Sequence, residues 1–429
     1  MKSMLPRHFF EENRNKLAKL LKENSVAFIH SNDEMPRNGD QYFPYRQHSD
    51  LFYLTGINQE KTVLALCPNH PLPKYREILF IVKPNPTMET WYGKKLTKTE
   101  ATEISGVENV IYINDFDAQA EDLVYQSSAI YLNIYENARF KTDVESRDLR
   151  YAKLLKDKYP LHRYERLAPI LTQLRTVKEP EEINVMRHAC DITGKAFERV
   201  LKFTKPGVYE FEVEAEITHE FIRHGAQGHA YYPIVASGEN ACILHYIENR
   251  KRCGDGEILL LDFGAEFMNY AADCSRSIPV NGKFTQRQRD LYEATLRVYK
   301  KARAMMVKGA SITIINKQVG KLWEEEHVNL GLYTKEDLQN EDPENPLYTK
   351  YFMHGIGHFL GLDVHDVGSR YQTLEPGMIL TCEPGIYIRE EGIGIRLETN
   401  ILVTEGDPID LMANIPIEPD EIEELMRKK

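Results

Sequence analysis

Apolar residues fall in short runs separated by polar, turn-rich stretches. Before about Leu171, the runs at 26–29, 62–66, 77–82, 110–113 and 129–134 read as buried strands bounded by turn residues. Residues 8–23 and 142–157 carry the helical apolar spacing instead. This part predicts a smaller α/β domain over residues 1–172, with a boundary near Ala168-Pro169-Ile170. Beyond it, Lys178-Glu179-Pro180-Glu181-Glu182 places proline and acids where a helix begins. That helix is expected to reach Phe203, stop at Lys205-Pro206-Gly207, and be followed by a second over 210–223.

The pattern then changes period. Segments 234–238, 257–263, 269–277 and 277–280 are strand-like; 286–307 and 311–330 are helical; 379–383, 385–388, 394–398 and 400–403 are strand-like again. Two helices followed by strands therefore occur twice, over about 175–280 and 286–404. This weak internal repeat suggests two halves closing round one site within a second domain, 173–429. The fold class is α/β (α+β). Residues 334–350, rich in Glu, Asp, Asn and Pro, read as a polar surface insertion.

Composition narrows the function. With 54 basic against 65 acidic residues the net charge is −11, and no cationic cluster suggests nucleic acid. No apolar run approaches membrane-spanning length, and the first residues, MKSMLPRHFFEEN, lack the apolar centre of a secretory signal. The expected home is the cytoplasm. Six scattered cysteines form no CxxC pair, which argues against a zinc–thiolate site.

The chemistry concentrates in His354-Gly355-Ile356-Gly357-His358, continued by Phe359-Leu360-Gly361-Leu362-Asp363-Val364-His365-Asp366. His354 and His358 have the spacing that puts two side chains on one side of a helical turn, and glycines between them let backbone come close. Four acids join them. Asp262 ends the apolar run Leu259-Leu260-Leu261; Asp273 lies eleven residues on, on the returning arm of an expected hairpin. Glu383 ends Ile379-Leu380-Thr381-Cys382, and Glu398 follows Arg396 by two on one strand face. One acid at a strand end is commonly a turn or cap residue. Four in this pattern would repel one another unless cations neutralised them.

Four carboxylates and one histidine form an oxygen-rich donor set suited to a pair of divalent ions: manganese first, with cobalt, iron or zinc as alternatives. Such a pair ionises a shared water near neutral pH and polarises a carbonyl, the requirements of amide hydrolysis. His354 and His358 compete for the ligand role, and spacing does not choose between them. His245 and His365 are candidates to bind substrate carbonyls or relay protons.

The blocks LLDFGAEF, AADCSRS, HGIGHFLGLDVHD, LTCEPGIYI and GIRLETNILVT occur in order. At these residues the chain resembles the pita-bread metallopeptidases, which include methionine aminopeptidase, aminopeptidase P, prolidase and the metal-free creatinases. The resemblance implies a C-terminal pita-bread fold of two pseudo-twofold αβ halves. It implies Asp262, Asp273, His358, Glu383 and Glu398 as ligands, with Asp273 and Glu398 bridging and His354 left to the substrate pocket. It gives His245 and His365 substrate or proton-shuttle roles, lets Glu383 accept a proton from the attacking water, and has Arg396 orient the site. Phe43–Gly56 (FPYRQHSDLFYLTG) and Glu89–Gly93 (ETWYG) look like the N-terminal domain of aminopeptidase P. The implied activity is hydrolysis of the N-terminal Xaa-Pro bond by a metal-bridging hydroxide, with prolidase and a non-catalytic binding module as alternatives. The implied partners are peptides with proline second and further copies of the chain in a homodimer or homotetramer. Trp91 and Asp50 are candidates to reach an active site across a subunit contact.

Overall fold

The strand runs of the N-terminal part build one sheet. In the computed structural model, which describes residues 4–136 and 142–428, the strands Val110–Tyr112, Glu77–Ile81, Val63–Leu66, Ser25–His30, Ala129–Leu132 and Arg163–Arg166 lie side by side in that order. The outermost residues of the two expected domains (1–3 and 429) lie outside the described residues. Ser25–His30 is central, antiparallel to Val63–Leu66 and parallel to Ala129–Leu132, so it is buried along its whole length. Val26, Phe28, Phe80, Phe116 and Ile130 fill one core against its face.

Several expected elements differ in extent. The helix expected over 142–157 is Arg147–Lys158, because the Ser146 hydroxyl caps it by accepting from Leu149 N at 3.2 Å. The supposed break at Ala168-Pro169-Ile170 is instead the helix Ala168–Thr176. Proline near a helix start costs no hydrogen bond, so Pro169 opens a helix rather than a linker. The chain divides into the compact units Met1–Arg175 and Thr176–Lys429.

Asp50 is not available to another subunit. It is 6% exposed, accepts from Arg175 Nη1 at 2.7 Å and Asn133 Nδ2 at 2.9 Å, and belongs to the interior of the first unit. Trp91, 78% exposed on the helix Pro86–Tyr92, remains free to make contacts.

In the second unit the helices Pro180–Phe203 and Glu210–Arg223 precede the antiparallel strands Ile234–Ser237, Ile258–Asp262 and Ser275–Pro279. Helices Gln286–Ala304 and Ile312–Asn329 precede Ile379–Cys382, Thr399–Leu402 and the hairpin Gly385–Ile388/Ile393–Arg396. The first helix starts at Pro180 as its sequence predicts: Glu179 and Glu182 form a reciprocal cap. Two expected strands differ. The strand expected over 269–277 is broken into Tyr270–Ala271 and the start of Ser275–Pro279, leaving Asp273 in the gap; the one expected over 394–398 stops at Arg396, leaving Glu398 ahead of Thr399–Leu402. In the 334–350 stretch a short helix, Lys335–Gln339, is exposed, but Tyr348 packs where a Cβ on Gly320 would stand, 2.7 Å from its ring.

Candidate metal centre

Each acid is placed where a strand stops and its backbone is tied to a neighbour. Asp262 is the last residue of Ile258–Asp262, opposite Ser275 on one side and Ile234 on the other. The chain then turns so tightly that a Cβ on Gly264 would lie 1.8 Å from Ala272 O, a closeness only glycine permits. Asp273 is clamped by Asn400, whose side chain accepts from Asp273 N at 3.2 Å and donates to its carbonyl at 2.6 Å. Glu398 N donates to Ser275 O at 3.0 Å. Strands from the two halves of the unit therefore position the acids jointly.

His354–His358 is not helical. The segment runs along Ile379–Cys382: Thr381 N donates to His358 O and Glu383 N to Ile356 O, both at 2.9 Å. A Cβ on Gly357 would stand 2.1 Å from Thr381 O. Glycines at 355 and 357 disfavour a helix, and the neighbouring strand's hydrogen bonds outweigh the four-residue spacing. In extended chain the same even spacing still places both histidines on one side.

The two competing histidines face different partners. His358 Nδ1 points at Phe359 O (3.0 Å), so it donates there. That leaves Nε2 facing Asp273 Oδ2 at 3.5 Å and Glu383 Oε1 at 3.6 Å. Burial opposes protonation of this ring, but Asp273 and Glu383 outweigh it and push it up. His354 Nε2 instead lies 2.8 Å from Tyr387 OH, and burial beside Arg396 pushes its pKa down to about 3. His245 and His365 line the same cavity of about 250 Å³ as Asp262, Asp273, His358, Glu383 and Glu398. The His365 ring meets His358 edge-on, centroids 4.3 Å apart.

Three residues to which the sequence assigned no role complete the arrangement. Tyr231 OH lies 2.6 Å from both Asp262 Oδ1 and Asp273 Oδ1. Ser275 Oγ donates to Glu398 Oε2 at 2.7 Å and accepts from Arg396 Nε at 2.8 Å. Tyr387 OH accepts from Arg396 Nη1 at 2.9 Å, while Arg396 Nη2 donates to Asp262 Oδ2 at 2.6 Å. No local spacing links these residues; only the tyrosine pair Tyr231-Tyr232 ahead of the Ile234–Ser237 strand hinted at the first.

Burial and mutual repulsion govern the charge of the acids. Burial pushes the Glu398 carboxyl well above the carboxylate range, and Asp273, Glu383 and Asp262 add to the push. Burial also raises Asp262, against the opposing Arg396, and brings Glu383 up to about 7, against the opposing His358. Ligand atoms of Asp273, His358 and Glu398 all come within 4.8 Å of one another, close enough to share one ion. Asp262 is joined to this group through Tyr231 and Glu383 through His358. A buried anionic set of this kind fits divalent cations.

Comparison with known proteins agrees. Residues 184–405 match the model of metallopeptidase family M24, and residues 10–131 that of the aminopeptidase P N-terminal domain. The chain belongs to metallopeptidase family M24, in its aminopeptidase P branch. This M24 chain is 37% identical over 434 residues to the Xaa-Pro aminopeptidase of Haemophilus influenzae, covering 98% of both. It is also 37% identical to that of Escherichia coli K12, over 99% of this chain and 98% of that one. A Zn-substituted E. coli aminopeptidase P in complex with product superposes with a TM-score of 0.89 at 35% identity, covering 99% of each chain. As an M24 member with this branch's N-terminal region, the chain is a hydrolase with a C-terminal pita-bread fold.

Proposed function

We propose that this metallopeptidase removes the N-terminal residue from peptides whose second residue is proline, using a dinuclear site held by Asp262, Asp273, His358, Glu383 and Glu398. The observation that carries the reading is the convergence of these five side chains, four of them acids, in one cavity. Relatives named Xaa-Pro aminopeptidase, similar over nearly the whole chain, supply the substrate class. Two divalent ions, when bound, would ionise a water at neutral pH and polarise the scissile carbonyl. Asp273 and Glu398, the most enclosed of the acids, are the residues suited to bridging. The oxygen-rich set favours manganese over softer-ligand metals.

The remaining residues have roles that follow from their contacts. Glu383 accepts a proton from the attacking water, its carboxylate standing in the cavity 3.6 Å from His358 Nε2. His354 stays neutral, its Nδ1 3.7 Å from Glu383 Oε2, and is proposed for the substrate pocket. His245 and His365, on the cavity wall, bind the substrate's carbonyls or relay protons. Arg396 holds Asp262 and, through Ser275, Glu398, so that neither can turn out of the site. The first unit is proposed as the aminopeptidase P N-terminal domain, with exposed Trp91 contacting a second copy in a homodimer or homotetramer. Six unpaired, buried cysteines suit a cytoplasmic location.

The test is hydrolysis of an Xaa-Pro-Yaa tripeptide by metal-stripped protein re-supplied with manganese, cobalt or zinc in turn. Release of the free first residue, dependent on metal, is expected. Cleavage of an Xaa-Pro dipeptide but not the tripeptide would replace the reading with prolidase, and no metal-dependent cleavage of either would end it.

A further inference from the structure

A buried ion pair outside the site holds the segment that carries His365. Lys178 lies just ahead of the helix Pro180–Phe203, and its side chain is 1% exposed, as is that of Asp366. Lys178 Nζ donates to Asp366 Oδ2 at 2.9 Å across 188 residues of chain. Asp366 directly follows His365. The segment folds back on itself, with Asp366 N donating to Phe359 O at 3.0 Å and Gly361 N to Asp363 O at 3.2 Å. Gly361 makes room for the pair: a Cβ there would stand 2.2 Å from Asp366 Oδ2 and 2.9 Å from Lys178 Cε.

The same helix start also grips the arm that leads to Asp273. Glu182, 2% exposed, accepts from Tyr270 OH at 2.8 Å, and Ala271 N donates to Gly361 O at 2.8 Å. Lys178 N is itself anchored to Gly377 O at 2.9 Å, so the lysine's backbone is fixed as well as its charge. A buried charge is tolerable only with its partner, so the pair forces one placement on the 359–366 turn.

We propose that Lys178 is a positioning residue for hydrolysis: through Asp366 it sets the His365 ring against His358 and so aims it at the substrate. The inference rests on the peptidase reading for its substrate but not for its geometry. Lys178→Met alone removes the cation that faces Asp366, whereas Lys178→Met with Asp366→Asn removes both charges of the pair. If the single variant does not fold, the neutral double variant carries the test.

Both should bind manganese in the amount the unaltered chain does, measured by elemental analysis, yet lose about ten- to a hundredfold in kcat, as supporting contacts of a site commonly cost. Adding Lys178→Met to His365→Ala should cost less than about twofold more, since the two act through one ring. A crystal structure of the neutral double variant should show the His365 ring displaced from its 4.3 Å contact with His358. Unchanged kcat in the neutral double variant, an equal loss in the His365→Ala background, or an unmoved ring would each overturn the proposal. If the unaltered chain cleaves no Xaa-Pro peptide, the peptidase reading fails, and the ring position still decides whether the clamp exists.

Discussion

Glu210 and Glu398 are both almost wholly buried glutamates of one unit, and their surroundings could hardly differ more. Glu210 is 0% exposed, and its two oxygens take four donors: Ser237 N at 2.8 Å, Asn240 Nδ2 at 3.1 Å, Tyr246 OH at 2.7 Å and Lys251 N at 2.8 Å. Glu398 is 2% exposed, accepts from the Ser275 hydroxyl, and feels three other carboxylates. The first acid is solvated by the chain itself. The second is left to an outside charge. Burial alone therefore says nothing about function; the balance of donors against anions around the buried group does.

The sharpest way to break this comparison is to remove one acid from each cluster. Asp273→Ala should lower kcat by about three orders of magnitude or more and reduce bound manganese, because several kcal/mol of charge stabilisation go with a ligand proposed to bridge two ions. Glu210→Gln should keep its metal and most of its turnover while lowering the melting temperature, since an amide cannot accept from all four donors. Full turnover with both metals retained in the Asp273→Ala protein would sink the metal-centre assignment. Metal loss in Glu210→Gln would show that the two clusters are not separable.

The same contrast predicts an inverted pH dependence. Asp262, Glu383 and Glu398 bind protons more tightly in the metal-free folded chain than ordinary carboxylates do in an unfolded one. The unfolded chain gives up its protons first as pH rises, so the contribution of Glu383 to stability is complete below about pH 4.5 and drains away as pH climbs through about 7, with Asp262 and Glu398 acting in the same direction. For Glu383, up at about 7, the loss is on the order of 3 kcal/mol. Bound cations favour the ionised carboxylates and reverse the trend. Glu182, also up at about 7, drains equally with or without metal, so the difference between the two melting curves isolates the site. A metal-free protein that gains stability steadily from pH 5 to 8 while the loaded one tracks it in parallel would contradict this account.

His365→Ala tests the cavity wall rather than the charge. Turnover should fall about a hundredfold, in the range of a proton-transfer or carbonyl-binding group, with bound manganese unchanged. An unaltered rate would remove His365 from the reaction.

How much of this could be read beforehand depends on the range of the interaction. Asp262 and Glu383 stand out in sequence because an acid ending a run of leucines or isoleucines breaks the local pattern. The order of helices and strands was legible for the same reason, since amphipathic periodicity is a local property. Ser275, by contrast, looks like any strand serine. Its role comes from meeting Arg396 and Glu398, 121 and 123 residues away, through pairing that no local pattern encodes. Tyr387 is hidden likewise, because aromatic residues on a hairpin usually mean packing. The helical reading of His354–His358 failed because spacing alone does not distinguish helix from extended chain at an interval of four. The strand at Ile379–Cys382, which decides the matter, lies beyond the segment.

Tyr231 offers the finest test of the comparison. Its hydroxyl has one hydrogen, yet Asp262 and Asp273 each present an oxygen to it at 2.6 Å. It can donate to only one of them. The other contact needs a proton on the carboxyl, consistent with the upward push on Asp262, or a cation that draws both acids together. Around Glu210 no such shortage arises, because Tyr246 OH has a single carboxylate to serve. Tyr231→Phe should therefore weaken manganese binding about tenfold, as the loss of one hydrogen bond to a ligand commonly does, while kcat at saturating metal stays within about twofold. Calorimetric titration of the metal-stripped variant measures the first and steady-state hydrolysis the second. Equal affinity in both proteins would mean that the two aspartates hold their places without the phenol, and that the donor shortage at this site is met by protons alone.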